Sequence, residues 1–193
     1  MKKITIIGSG FSALSASCYL AKSGYDVTIF EKNATIGGRA RQMKAAGFTF
    51  DMGPSWYWMP DIFERFFADF NKKPSDYYEL IKLSPAYRVY FGINDFIAIA
   101  DNLDEIVTTF ENIEKGSGKV LRAFMAEAQS NYDIAIKDLV YRPGVSPLEL
   151  VTTKTAQKVG QFFSNISRDV RKKFTNPRLI QILEFPVLFL GAK

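Results

Sequence analysis

The sequence predicts an α/β fold: a βαβ unit first, then a β-hairpin, then a helical region. Three observations predict it. Lys3-Ile4-Thr5-Ile6-Ile7 is a short β-branched, apolar run, the pattern of a strand buried on both faces. Gly8-Ser9-Gly10-Phe11-Ser12-Ala13 follows at once as G-x-G-x-x-A, a small-residue turn that opens a helix. Asp26-Val27-Thr28-Ile29-Phe30 is a second such run, and Glu31 ends it.

Each position of the turn has a physical job. Gly8 permits a tight turn, and Gly10 has no Cβ, so a phosphate can approach the backbone closely. Ala13 is small enough for the helix to pack on the strands. Free N–H groups and the dipole at the helix start favour an anion. The helix runs to about Ser23, with Leu14, Ser17, Cys18 and Ala21 on one face and Gly24 as the cap. Glu31 follows Gly10 by 21 positions, the spacing of an acid that accepts ribose hydroxyls from a dinucleotide. An acid there argues against a cofactor carrying a 2′-phosphate. A tight turn in an unrelated α/β protein is the competing reading, and the strand–turn–helix–strand–acid context weighs against it.

Lys32 to Ile36 leads to Gly37-Gly38-Arg39, a second backbone-rich turn with a guanidinium that can pair with phosphate. Residues 47–52 alternate apolar and polar and run into Gly53-Pro54-Ser55. With these residues in place, segments 6–16, 29–40 and 47–55 resemble the N-terminal FAD signature. That signature is shared by flavin amine oxidases, carotenoid desaturases and carotenoid isomerases. Residues 53–67, 138–151 and 178–193 are similar to bacterial phytoene desaturases in particular, so the resemblance covers the whole chain. It implies an FAD site, with Gly8, Ser9, Gly10, Phe11, Ser12, Ala13 and Arg39 serving the pyrophosphate. Glu31 would serve the adenosine ribose, with Lys32 beside it. Gly37, Gly38 and Met52, Gly53, Pro54 and Ser55 would lie along the cofactor toward its ring. The third glycine of the motif is Ala13 here, a mild departure.

Pro60 opens an amphipathic helix over 61–70, with Ile62, Phe63, Phe66, Phe67 and Phe70 on one face. That face is either ordinary packing or the wall of an apolar tunnel or membrane-dipping surface. Trp56, Tyr57 and Trp58 either line the same region or fill the core. Residues 86–91 and 96–100, joined through Gly92 to Asp95, read as a β-hairpin. Asn102 and Glu105 have capping-box spacing and start a helix ending at Gly116. A longer helix covers about 118–141, and Arg142-Pro143-Gly144 breaks it. Ser146-Pro147 starts another, and helices near 153–164, 167–174 and 177–185 complete the region. The resemblance divides the chain into an FAD-binding part (1–76), a substrate-domain hairpin (77–100) and a helical substrate- and membrane-facing part (101–193).

Composition narrows the chemistry. The 193 residues contain no His and one Cys, which excludes Ser-His-Asp catalysis, His-ligated metals and a disulfide framework. A single Cys and a start that leads directly into a strand fit a cytoplasmic protein. Net charge is +5, and residues 150–193 hold eight Lys or Arg against two acids. That basic tail suits anionic lipid headgroups at the inner membrane or a solvated helix face, and no nucleic-acid motif accompanies it. The apolar run 179–190 is too short to span a bilayer. Asp138, with Tyr141 and Arg142, is a weak candidate proton acceptor, and capping of a helix end competes with that role.

The resemblance implies FAD-dependent desaturation of a phytoene-type polyene, with the flavin accepting a hydride. A carotenoid isomerase, or a non-catalytic binding protein on the same fold, is the alternative. It also implies a longer chain whose C-terminal half supplies a second cofactor motif. By that measure the 193 residues are an N-terminal portion, expected to bind FAD poorly and to be inactive alone.

Overall fold

The computed structural model describes residues 1–53, 56–137, 139–146 and 165–190. The chain divides into two compact units, Met1–Glu79 and Leu80–Lys193.

The first unit begins as the sequence predicts. β1 (Lys3–Ile7), α1 (Phe11–Lys22) and β2 (Asp26–Phe30) form a βαβ unit. The strands are parallel, with Ile4 opposite Val27 and Ile6 opposite Ile29. These four side chains share one face and are half-buried. The other face is bare at its C-terminal end: Ile7 is 81% and Phe30 59% exposed. The expectation of a strand buried on both faces is therefore corrected. Two strands and one crossover helix cover only one side of a sheet. The half-buried side of α1 is Ala13, Leu14, Ser17 and Leu20, whereas Cys18 and Ala21 of the expected face are exposed.

β3 (Gln42–Ala45) and β4 (Phe48–Asp51) then form an antiparallel hairpin. Its turn, Ala46-Gly47, has φ of 50° and 82°. Two consecutive positive values suit the right-handed twist of the strands. The sequence reading missed β3, because Gln42-Met43-Lys44-Ala45 has little β-propensity and Ala46 is an unusual residue for such a turn. α2 (Pro60–Asp69) starts with Pro at its first position. Its expected apolar face is the half-buried one, and it meets α1 through rings. Phe11 stands edge-on to Phe63 at 6.2 Å, and Tyr19 to Phe66 at 5.8 Å. The Tyr19 hydroxyl donates to Asp69 Oδ2 at 2.6 Å, and Lys22 Nζ donates to the Asp69 carbonyl. The packing reading of this face is the one observed. Trp56, Tyr57 and Trp58 are all more than a third exposed, so they do not fill a core; Tyr57 stacks on Phe63 at 4.7 Å.

The second unit carries every fully buried apolar side chain among the described residues. β5 (Tyr87–Gly92) and β6 (Asp95–Ile99) form the predicted hairpin. Ile97 and Ile99 on its inner face join Phe110, Leu121, Val170, Phe174, Leu179, Ile180 and Ile182 in one core. α3 (Leu103–Ile113) is capped by Asn102, whose Oδ1 accepts the Glu105 N–H at 2.9 Å. The helix stops three residues before the expected Gly116. Glu111 draws the Gly116 and Gly118 N–H groups onto its carboxylate at 2.8 and 2.9 Å, and α4 (Ser117–Lys137) starts there. A tight turn at 139–141 follows α4, where the sequence suggested a continuous helix.

α5 (Ile166–Lys173) and α6 (Pro177–Glu184) close the core. Glu114 receives the Asn176 N–H at 2.9 Å and the Thr175 hydroxyl at 2.9 Å, fixing the entry to α6 against the end of α3. The expected helix near 153–164 lies outside the described residues. Leu179 is fully buried in this core, so Leu179→Ala should cost about 2–5 kcal/mol, measured by urea unfolding followed by far-UV circular dichroism.

Candidate functional site

Three glycine turns of the first unit converge. Gly8 leaves β1 with φ 93° and donates its N–H to Phe30 O at 2.7 Å, extending the parallel ladder by one bond. Ser9 is the one buried side chain of these turns among the described residues. Its carbonyl accepts the Gly37 N–H at 2.9 Å, which ties the second glycine turn to the first. Gly37 and Gly38 have φ of 105° and 60°, and a Cβ on Gly38 would sit 3.1 Å from Gly10 Cα. Gly53 closes the set, since a Cβ there would stand 2.5 Å from Arg39 O. Positive φ and a close backbone contact together favour glycine at 38, and contact alone requires it at 53.

Gly10 is different. Its φ is −72°, open to any residue, and an added Cβ would meet nothing within 4 Å. Neither the turn nor the packing needs a glycine there. Gly10 is also the N-cap of α1, whose first hydrogen bond runs from Leu14 N–H to Gly10 O at 2.9 Å. The N–H groups of Phe11, Ser12 and Ala13 precede that bond and have no partner within the helix. The first turn of α1 carries no acid of its own. The result is an open, donor-rich surface suited to an anion.

Glu31 stands at the edge of this surface. Its Oε2 accepts the Ser9 hydroxyl at 2.7 Å and the Ser9 N–H at 2.8 Å. Its Oε1 accepts the Asn33 N–H at 2.8 Å and the Asn33 side-chain amide at 2.7 Å. These donors hold its pKa down at about 2, the Ser9 hydroxyl contributing most and the Asn33 N–H next. The carboxylate is therefore a fixed anion at neutral pH. Asn33 is not among the site residues that the sequence suggests. An amide two residues after an acid that ends a strand is the signal that would have found it.

The structure thus brings together Gly8 to Ala13, Glu31, Gly37, Gly38, Arg39 and Gly53. Arg39 is exposed in the tight turn Gly38–Ala40 and forms no ion pair among the described residues. Lys32 is exposed beside Glu31. Met52 donates its N–H to Arg41 O at 3.0 Å, and its side chain is exposed. Pro54, Ser55 and Asp138 lie outside the described residues. Among the described residues no group of acids and Cys is arranged to hold a metal, and no helix is long and apolar enough to cross a membrane.

Residues 6–72 match the NAD(P)-binding Rossmann-like domain, so the expected fold class holds for the first unit. A carotenoid 3,4-desaturase of Haloarcula japonica is 41% identical over 192 residues, or 98% of this chain and 39% of that protein. A 4,4'-diapophytoene desaturase (4,4'-diaponeurosporene-forming) of Staphylococcus aureus strain Newman is 33% identical over 191 residues, again 98% of this chain, and 38% of that protein. The same enzyme of strain USA300 matches equally. The chain spans about two fifths of the length of the curated relatives it matches.

Two outcomes follow from this geometry. Gly53→Ala should lower the melting temperature, because its Cβ must displace backbone at Arg39, and thermal unfolding of the variant measures the drop. The Glu31 pKa is lower folded than unfolded, so its contribution to stability is complete above about pH 4.5 and is lost as pH falls toward about 2. Carboxyl titration by NMR should place its midpoint near 2, and Ser9→Ala should raise it toward 4.5.

Proposed function

From a chain homologous along nearly its whole length to carotenoid desaturases, we propose an FAD-dependent desaturase of a phytoene-type polyene in carotenoid biosynthesis. The chain spans about two fifths of those relatives, so the reaction is proposed for the full-length protein. The observation that carries the cofactor assignment is Gly10: a glycine that neither backbone nor packing requires, at the mouth of a helix with three free N–H groups.

In this reading the helix start and Gly8-Ser9-Gly10 hold the pyrophosphate of FAD, and exposed Arg39 pairs with it. Glu31, held as an anion, accepts hydroxyl hydrogens of the adenosine ribose and repels a 2′-phosphate. The chemistry that a bound flavin supplies is acceptance of a hydride from the substrate. The protein's share is to bind, orient and exclude water, which needs neither His nor a metal. Apolar side chains left exposed in the first unit, Ile7 and Phe30 among them, suit a long apolar substrate and a dry surface. In the basic α5, Arg171 and Lys173 pair with Glu184 and Glu127, and the exposed Arg168 and Lys172 suit peripheral contact with anionic lipid, the medium that would hold such a substrate at the cytoplasmic face.

The test is to incubate the full-length protein with FAD and phytoene in liposomes and read the product spectrum. Absorption at longer wavelength is expected, because each desaturation extends conjugation. Products that differ only in double-bond geometry would replace the desaturase reading with an isomerase. Glu31→Arg should weaken FAD binding about tenfold or more, read by flavin fluorescence. Unchanged occupancy would remove Glu31 from the site.

A further inference from the structure

Glu31 is already saturated. A carboxylate offers about four acceptor positions. Ser9 fills two, with its N–H at 2.8 Å and its hydroxyl at 2.7 Å on Oε2. Asn33 fills two, with its N–H at 2.8 Å and its amide at 2.7 Å on Oε1. An acid with four donors cannot accept a ribose hydroxyl until one of them leaves. The two N–H donors belong to turns and move only with the backbone.

The two side-chain donors differ in freedom. Ser9 is 1% exposed, and its own carbonyl is tied to Gly37, so its hydroxyl is fixed by two turns. Asn33 is exposed, its side chain has no partner except Glu31 among the described residues, and rotation about its side-chain bonds returns the amide to water at little cost. We propose that the Asn33 side-chain amide stands in for a ribose hydroxyl on Glu31, and that it is the donor a bound dinucleotide displaces. The Ser9 hydroxyl and the two N–H groups stay in place and keep the carboxylate aimed. This rests on the dinucleotide reading of the site and adds to it which contact is exchanged on binding.

In this account Asn33 is a competitor, and Ser9 is a positioning residue. The two truncations should therefore act in opposite directions. The probe is ADP-ribose, titrated calorimetrically at pH 7 into the full-length protein. Asn33→Ala should tighten binding roughly two- to tenfold, the worth of one hydrogen bond that no longer has to be broken. Ser9→Ala should weaken binding by a similar factor. With a probe whose adenosine ribose lacks both the 2′- and the 3′-hydroxyl, Asn33→Ala and wild type should bind alike. Weaker or unchanged ADP-ribose binding by Asn33→Ala overturns the inference, as does an equal gain with the dideoxy probe. A wild-type protein that binds neither ADP-ribose nor FAD overturns the dinucleotide reading itself.

Discussion

The first unit depends on one junction, where the Ser9 backbone and side chain serve three segments at once. Its carbonyl receives the Gly37 N–H, and its N–H and hydroxyl go to Glu31 at the end of β2. Strand, helix start and second glycine turn are thereby fixed to one residue that is itself buried. Burial raises the importance of those bonds, because a buried polar group left unpaired is costly. The junction closes tightly because Gly38 brings no Cβ against Gly10.

The second unit is built on a different principle. Its hairpin and helices enclose a continuous apolar core, and the polar contacts sit at the helix ends. Asn102, Asn165 and Asn176 each cap a helix with a side-chain oxygen. Glu111 and Glu114 satisfy N–H groups at the chain reversals after α3 and before α6, and both have pKa values lowered mainly by those N–H bonds. Arg178 reaches Asp95 at the start of β6 and also lies over the Phe91 ring, holding α6 to the hairpin. The core is thus apolar inside and locked at its corners by carboxylates.

The contrast suits the proposed chemistry. A redox reaction carried by a cofactor needs from the protein a cradle of backbone donors, a fixed anion and an apolar surface. The first unit offers these with glycine turns and one acid, and it leaves apolar side chains bare. Its aromatic pairing between α1 and α2 sets the helix that starts at Gly10 without filling the space before it. Glu31 illustrates the electrostatics: hydrogen bonds from Ser9 and Asn33, with no basic partner among the described residues, hold its pKa down.

Local patterning in the sequence determined the βαβ unit, the hairpin at 87–99, the amphipathic face of α2 and the cap at Asn102. Each depends on residues within a few positions of one another, where periodicity, cap chemistry and turn residues act directly. The spacing from Gly10 to Glu31 was legible for the same reason, since a strand and a helix of standard length separate them. Other features were decided only by the tertiary structure. The approach of Gly38 to Gly10 and of Gly53 to Arg39, the two Ser9 donors on Glu31, and the Glu114 link to Asn176 join segments far apart in the chain. The bare face at Ile7 and Phe30 belongs with them, because burial depends on what packs against a strand. A β-branched run specifies a strand; only the elements packed around it specify which of its faces meets water.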